Sequence, residues 1–400
     1  MKAFIVERYG KNGLRAGEVS EPELRDGDVL VRVRAAGVNP LDSKIRDGEF
    51  RLILPYRPPF VLGHDVAGVI TRAGPDVRRF TVGDEVYARP GKDRIGTFAE
   101  LIALDQDDLA LKPTSLSMQQ AAAVPLVGLT AWQALVERAK VTAGQKVLIH
   151  AGSGGVGTMA IQLAKHLGAT VATTTSTANV DWVKSLGADV VVDYKKDDFA
   201  TVLSDYDVVL DSRGGETLEK SLTVVKPGGL VIGIGGPPDP DFANELGAPW
   251  LLRMAMTLLS RRIRMRAKRR GVRYSFLFMR ASGTQLRELT TLIDDGHLRP
   301  VVDRIFPFDA TLEALAYLDQ GRAKGKVVLT LDSRETSSSN VSDDAVTGTV
   351  ALSDRPTRSP PVACLEVDRR ASRCPVCDGS RRCLRGPASP FAAWRERPSP

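Results

Sequence analysis

From the N-terminus to about residue 125, apolar and polar positions alternate in short runs broken by Gly, Pro and Asp. Asp28-Val-Leu-Val-Arg-Val-Arg-Ala, Val66-Ala-Gly-Val-Ile and Gly83-Asp-Glu-Val-Tyr-Ala are examples. A period of two puts successive side chains on opposite faces of a strand, and Asp26-Gly27-Asp28 and Gly83-Asp84 supply turn chemistry. The pattern predicts a β-rich domain over 1–125. From about Leu126 the period changes. Compact apolar runs (Lys146-Val-Leu-Ile-His-Ala, Thr170-Val-Ala-Thr-Thr, Asp189-Val-Val-Val, Tyr206-Asp-Val-Val-Leu-Asp, Gly229-Leu-Val-Ile-Gly-Ile) are now spaced by helical patterns. That alternation predicts βαβ units and a parallel sheet over 126–296, so the fold class is α/β. Tyr274-Ser-Phe-Leu-Phe-Met predicts a further strand and Thr284–Asp295 a helix. A strand-helix-strand over 297–332 ends at Val327-Val-Leu-Thr-Leu.

At Ser333 the periodicity stops. Residues 333–400 are rich in Ser, Pro and Arg, and this composition predicts a disordered tail. All four cysteines (Cys364, Cys374, Cys377, Cys383) lie there. Cys374-x-x-Cys377 resembles half of a zinc motif, but no second pair or His completes it, so the tail is read as a bland appendage.

Charge changes the picture less than its size suggests. The net charge is +7 over 400 residues, of which the tail carries +3. Much of the rest comes from Arg253–Arg287, which holds no acidic residue and overlaps a basic insertion over 240–273. A nucleic-acid binder spreads basic charge over a face with interleaved aromatics, a pattern missing here. Pro249-Trp-Leu-Leu-Arg-Met-Ala-Met-Thr-Leu-Leu-Ser running into Arg261-Arg-Ile-Arg-Met-Arg has the composition of a membrane-surface segment. A solvated helix over the cleft, its long side chains lying along apolar surface, is the favoured reading. The N-terminus reads as a strand and no run reaches the ~18 apolar residues of a spanning helix, so the expected location is cytoplasmic.

Gly152-Ser-Gly154-Gly155-Val156-Gly157 matches G-x-G-x-x-G between an apolar strand and a helical pattern. In that context glycines permit a tight turn and let backbone approach a pyrophosphate, while the helix's first amides face its charge. NAD sites place an acid about 20 residues on, against the ribose hydroxyl. This chain has Thr173-Thr-Thr-Ser176-Thr-Ala-Asn179 there, whose hydroxyls and amide can donate to a 2′-phosphate. The expected cofactor is NADP(H). No Arg stands in the loop, and Lys195 or Lys196 are the candidate charge partners.

Over about residues 1–332 the chain resembles the medium-chain dehydrogenase/reductase superfamily, and within it the quinone oxidoreductase-like branch. The residues that carry the resemblance are Gly37-Val-Asn-Pro-Leu-Asp42, Gly63-His-Asp-Val-Ala-Gly68, Gly83-Asp-Glu-Val-Tyr, Gly128-Leu-Thr-Ala-Trp, the glycine motif and Gly325-Lys-Val-Val-Leu. The resemblance implies a GroES-like catalytic domain over 1–125, completed by 297–332, beside a Rossmann doubly wound sheet over 126–296. It also implies that Ser176 and Tyr194 flank the adenosine phosphate and that Thr130 lies near the nicotinamide end. Asn179, from the loop reading, and Lys326 are counted with these cofactor contacts. The strand at Tyr274 is similar to the edge strand through which relatives pair, so a homodimer is expected. Many NADPH-using relatives carry Lys where this chain has Asn179.

Zinc-dependent members need a Cys in place of Asn39 and a further ligand later. His64 matches a ligand position, but one His does not build a site that wants three protein ligands. The expectation is therefore no metal. Without one, reversible alcohol oxidation is poorly supported, whereas hydride addition to a conjugated acceptor asks only for donors at a distal oxygen. The expected substrate is a quinone or another α,β-unsaturated carbonyl compound. Asn39 is assigned to positioning its oxygen, with Lys44 offering positive charge and Tyr56 a further candidate. Asp42 reads as a loop-fixing acceptor. A zinc alcohol dehydrogenase and a non-catalytic NADPH-binding redox sensor stand as alternatives.

Overall fold

The alternating segment beginning at Asp28 forms the longest strand, Asp28–Val38, and organises the first sheet. The computed structural model describes residues 1–331 apart from Leu52 and Pro55, so the expected disordered tail lies outside the described residues. Val29, Val31, Val33, Ala36 and Val38 are buried against Ile70, Phe98 and Leu104, whereas Arg32, at an intervening position, is exposed. Each of these valines contributes about 1.5–3 kcal/mol when fully buried. The seven-stranded sheet runs Val302–Pro307, Lys326–Thr330, Asp28–Val38, Asp65–Ala73, Glu85–Ala88, Leu109–Leu111, and Leu101–Asp105 also pairs with Asp28–Val38. The late strand Lys326–Thr330 therefore lies antiparallel to Asp28–Val38, with Val327 opposite Val38. A separate three-stranded sheet holds Lys2–Val6 between Leu14–Glu18 and Phe60–Val61.

The compact apolar runs form a six-stranded, wholly parallel sheet in the order Val190–Asp193, Thr170–Thr175, Lys146–Ile149, Tyr206–Asp211, Val225–Gly233, Arg273–Phe276. In chain order this is third, second, first, fourth, fifth, sixth, the doubly wound arrangement whose ligand crevice opens where the order reverses. That switch lies between Lys146–Ile149 and Tyr206–Asp211. Buried Val147, Ile149, Ile161, Val171 and Leu210 share one cluster with Ala35 and Ala67 of the first sheet. The Tyr87 hydroxyl crosses the junction and donates to Leu286 O at 2.6 Å.

Two local expectations change. The strand expected over Tyr274–Met279 ends at Phe276, because its neighbour Val225–Gly233 ends opposite it and Leu277 N–H makes the last bond, to Gly233 O. The apolar-then-cationic stretch is one 20-residue helix, Trp250–Arg269. It buries Met256, Ser260, Ile263 and Ala267 on one side and leaves Leu251, Met254 and Leu258 exposed on another. No helix of the described residues is long and apolar enough to cross a membrane.

Candidate active site

The glycine motif turns between the strand Lys146–Ile149 and the helix Gly155–His166. Gly152 N–H donates to Thr174 O and Gly154 N–H to Ala151 O, both at 3.0 Å. A Cβ on Gly152 would lie 2.2 Å from Thr173 Oγ1, and one on Gly157 would lie 2.3 Å from Ala151 O. Those two glycines let the helix pack onto the strand end. At Gly154 the nearest atom to a Cβ is 3.4 Å away, so that side of the turn is open. The helix's first amides, beginning at Gly155 and Val156, start directly behind it, where orphan N–H groups suit an anion. An open glycine face before a helix start is the cradle a dinucleotide pyrophosphate requires, and the residues present fit a nicotinamide cofactor.

At the other end of the expected cofactor path, Ser176 follows the strand Thr170–Thr175. Asn179 Nδ2 donates to Ser176 Oγ at 3.1 Å, and Asn179 Oδ1 is buried without a partner. Tyr194 is 61% exposed, leaving its ring free to pack on a ligand. An acid missed by counting along the motif also stands here. Asp193, at the tip of the adjacent strand, accepts from Thr177 Oγ1 at 2.7 Å and from Lys195 N–H at 3.1 Å. The Thr177 bond, then those from Lys195 and its charge, hold this carboxyl below its ordinary range. Lys196 Nζ is 3.8 Å from it.

A second group of residues gathers where the first sheet meets the glycine loop. Asn39 precedes the helix Pro40–Arg46, and its N–H donates to Asp42 Oδ2 at 2.7 Å. Its side chain donates from Nδ2 to Asp65 Oδ2 at 2.9 Å. The other Asp65 oxygen accepts from Leu126 N–H at 2.7 Å, at the start of the segment carrying Thr130. Thr130 is buried and donates to Leu126 O at 2.7 Å. Lys326 closes the group. Its ammonium donates to Asp65 Oδ2 at 2.8 Å, to Val38 O at 3.3 Å and to Asn39 Oδ1. A Cβ on Gly155 would meet the Lys326 stem at 3.0 Å, and Gly325 N–H donates to Ser153 O at 2.9 Å. Lys326 thus spans from the glycine loop to Asn39. Asn39, Asp42, His64 and Asp65 are at most 1% exposed and Lys326 4%.

Beside this node His64 Nδ1 lies 2.6 Å from Asp42 Oδ1, while its Nε2 is buried without a partner. The structure does not bring Lys44 into the group: its half-exposed ammonium is 3.7 Å from Glu49. Tyr56 donates its hydroxyl to Lys92 O at 2.6 Å, and burial raises its pKa above the ordinary phenol value. Arg89 had no signal in the sequence beyond being one arginine after a strand. It is 2% exposed, donates from Nη1 to Pro90 O at 2.7 Å, and has a buried Nε without a partner. Among the described residues no cluster of three His, Cys, Asp or Glu stands ready for a metal. The Lys326 ammonium on Asn39 and Asp65 would oppose a divalent cation there, so these residues do not fit zinc.

Comparison with known proteins agrees with this architecture. Residues 25–114 match the alcohol dehydrogenase GroES-like domain family, and residues 186–329 match the family described as zinc-binding dehydrogenase. The 2-methylene-furan-3-one reductase of Solanum lycopersicum is 36% identical over 341 residues, 82% of this chain and 79% of that protein. The chloroplastic NADPH-dependent alkenal/one oxidoreductase of Arabidopsis thaliana is also 36% identical, with the same two shares covered. The solved structure of the quinone oxidoreductase from Coxiella burnetii superposes with a TM-score of 0.73 at 33% identity, covering 83% of this chain and 99% of that one. The chain belongs to the medium-chain dehydrogenase/reductase superfamily, in its zinc-independent quinone oxidoreductase-like branch.

Proposed function

We propose that the protein is an oxidoreductase that reduces quinones or other α,β-unsaturated carbonyl compounds with NADPH and without zinc. The observation that carries this reading is the buried Asn39–Asp65–Lys326 node: hydrogen-bond donors and a fixed cation stand where a metal site would need ligands. Relatives named for alkenals, enones and quinones support the substrate class.

In this proposal Gly152, Gly154, Gly155, Val156 and Gly157 hold the pyrophosphate, Ser176, Asn179 and Tyr194 border the adenosine phosphate, and Thr130 stands toward the nicotinamide end. Lys326 positions rather than binds, since its stem backs Gly155 and its ammonium fixes Asn39. NADP is preferred over NAD because Ser176 and Asn179 are donors, and because Asp193 is already occupied by Thr177 and Lys195. When bound, the cofactor supplies a hydride to the electron-poor carbon of the acceptor. The chain holds acceptor and cofactor together, excludes water, and offers Asn39 to the acceptor oxygen once its Nδ2 turns from Asp65, with Tyr56 a second donor once freed from Lys92. Lys44 contributes charge at the rim only.

The domain division (1–125 with 297–332, then 126–296), the cytoplasmic location and a homodimer paired through the edge strand Arg273–Phe276 belong to the same proposal. Sedimentation and cell fractionation test the last two. The function itself is tested by NADPH consumption against a quinone, an enone, an alkenal and a saturated aldehyde. Turnover of the conjugated acceptors alone is expected; turnover of the aldehyde alone would overturn it.

A further inference from the structure

Arg89 heads the largest of the fully buried side chains, and the fold gives it almost nothing to bind. Its one hydrogen bond goes to Pro90 O, Nε–H is unpartnered, and among the described residues no carboxylate pairs with it. Taking a guanidinium out of water without a bonded counter-charge costs several kcal/mol. Desolvation is the largest influence on it, opposed by Tyr56, Asp65, Asp108 and Asp42 acting through space. Each of those acids is bonded elsewhere: Asp65 to Asn39, Leu126 and Lys326, Asp42 to Asn39 and His64, Asp108 to Gly91 N–H. The charge therefore stands without a bonded partner one residue beyond Ala88, which pairs with Val66, so that Arg89 lies alongside the strand start that carries Asp65.

We propose that Arg89 is an oxyanion-binding residue whose free guanidinium N–H receives the carbonyl oxygen of the substrate. This rests on the reductase reading and deepens it. When a hydride adds to the β-carbon of an enone, a C–H bond forms there, the C=C pair shifts to the Cα–C bond, and the carbonyl π pair moves onto oxygen. The resulting enolate carries its charge at oxygen until water protonates the α-carbon. For a quinone the same shift leaves a phenolate-type oxygen. A buried cation with a spare donor stabilises that oxygen more than it stabilises the neutral carbonyl, the condition for lowering the barrier rather than only tightening binding. The site then favours flat acceptors whose reduced form is a delocalised oxyanion.

The test reads oxyanion binding without any nicotinamide. Full-length protein is titrated with 4-nitrophenol, whose phenolate absorbance reports ionisation, and with 4-nitroanisole as the neutral match. Wild type is expected to bind the phenolate about 10–100-fold more tightly than the neutral phenol, the range of one charged hydrogen bond, so the bound phenol ionises at lower pH than the free one. Arg89→Met is expected to abolish that preference while leaving 4-nitroanisole binding unchanged. Arg89→Lys, which keeps the charge, covers the case in which the methionine variant does not fold, and is expected to retain part of the preference. Wild type without phenolate preference overturns the proposal, as does an unchanged preference in a folded Arg89→Met. Phenolate binding that depends on Arg89 in a protein that reduces no conjugated acceptor would refute the reductase reading and leave the oxyanion site standing.

Discussion

Replacing Lys326 by Met leaves Asp65 as a fully buried carboxylate held only by Asn39 Nδ2 at 2.9 Å and Leu126 N–H at 2.7 Å. Removing one partner of a buried ion pair costs about 3–5 kcal/mol, because the other charge stays desolvated. Replacing both partners by neutral groups of similar volume costs far less, since the desolvation penalty disappears with the charges. Asp65→Asn keeps an oxygen for Leu126 N–H. The double variant Asp65→Asn, Lys326→Met should therefore be more stable than Lys326→Met alone, with a coupling of about 2–4 kcal/mol. The assay is urea unfolding of wild type, both single variants and the double, read by intrinsic fluorescence. On heating, the Lys326→Met loss corresponds to a midpoint drop of roughly 5–10 °C. Additive losses, with the double as unstable as the two singles together, would refute the claim that these charges form one buried unit.

Gly157→Ala drives a methyl to 2.3 Å from Ala151 O and 2.7 Å from Gly152 Cα, both backbone, so it should lower stability by about 1–3 kcal/mol and weaken NADPH binding in a fluorescence titration. Gly154→Ala, on the open side of the turn, should leave the unfolding midpoint unchanged and weaken NADPH binding alone. His150, buried between Thr174 Oγ1 and Ser221 Oγ, has its pKa pushed down to about 4 by burial. The unfolded chain then takes up the proton first, so stability is intact above pH 6.5 and falls by about 3 kcal/mol as pH drops towards 4. Urea midpoints across that window should flatten in His150→Gln. Asn179→Asp places a carboxylate beside Ser176 and should weaken NADPH binding about tenfold or more while sparing NADH. Equal losses for both coenzymes would contradict the adenosine-phosphate role.

The parts legible in the sequence are those with a local signal. The period change near Leu126 marks where the strands of the six-stranded parallel sheet begin to follow those of the β-rich segment, because strand and helix periods are written in neighbouring residues. The glycine motif is readable because turn, strand and helix are contiguous. What the sequence misses is held by distance. Lys326 meets Asn39 only because the last strand lies antiparallel beside Asp28–Val38, and no spacing rule links residues so far apart. Sequence position alone therefore groups Lys326 with the glycine loop, while its ammonium is bonded to Asn39 and Asp65. Asp193 reaches Thr177 from the tip of the next parallel strand, outside the window in which an acid is sought. Lys44 has the charge and the loop position of a site residue but sits half-exposed at Glu49, because the outer face of Pro40–Arg46 is solvated. Arg89 is invisible in sequence because burial, not identity, makes it unusual.

The most direct test of the central claim uses NADPH carrying deuterium at its transferable position, a simple enone, and protein treated with a chelator. The account predicts undiminished turnover and a saturated ketone labelled at the β-carbon. An allylic alcohol labelled at the carbonyl carbon, formed only when metal is restored, would contradict it and return His64 to the role of a zinc ligand.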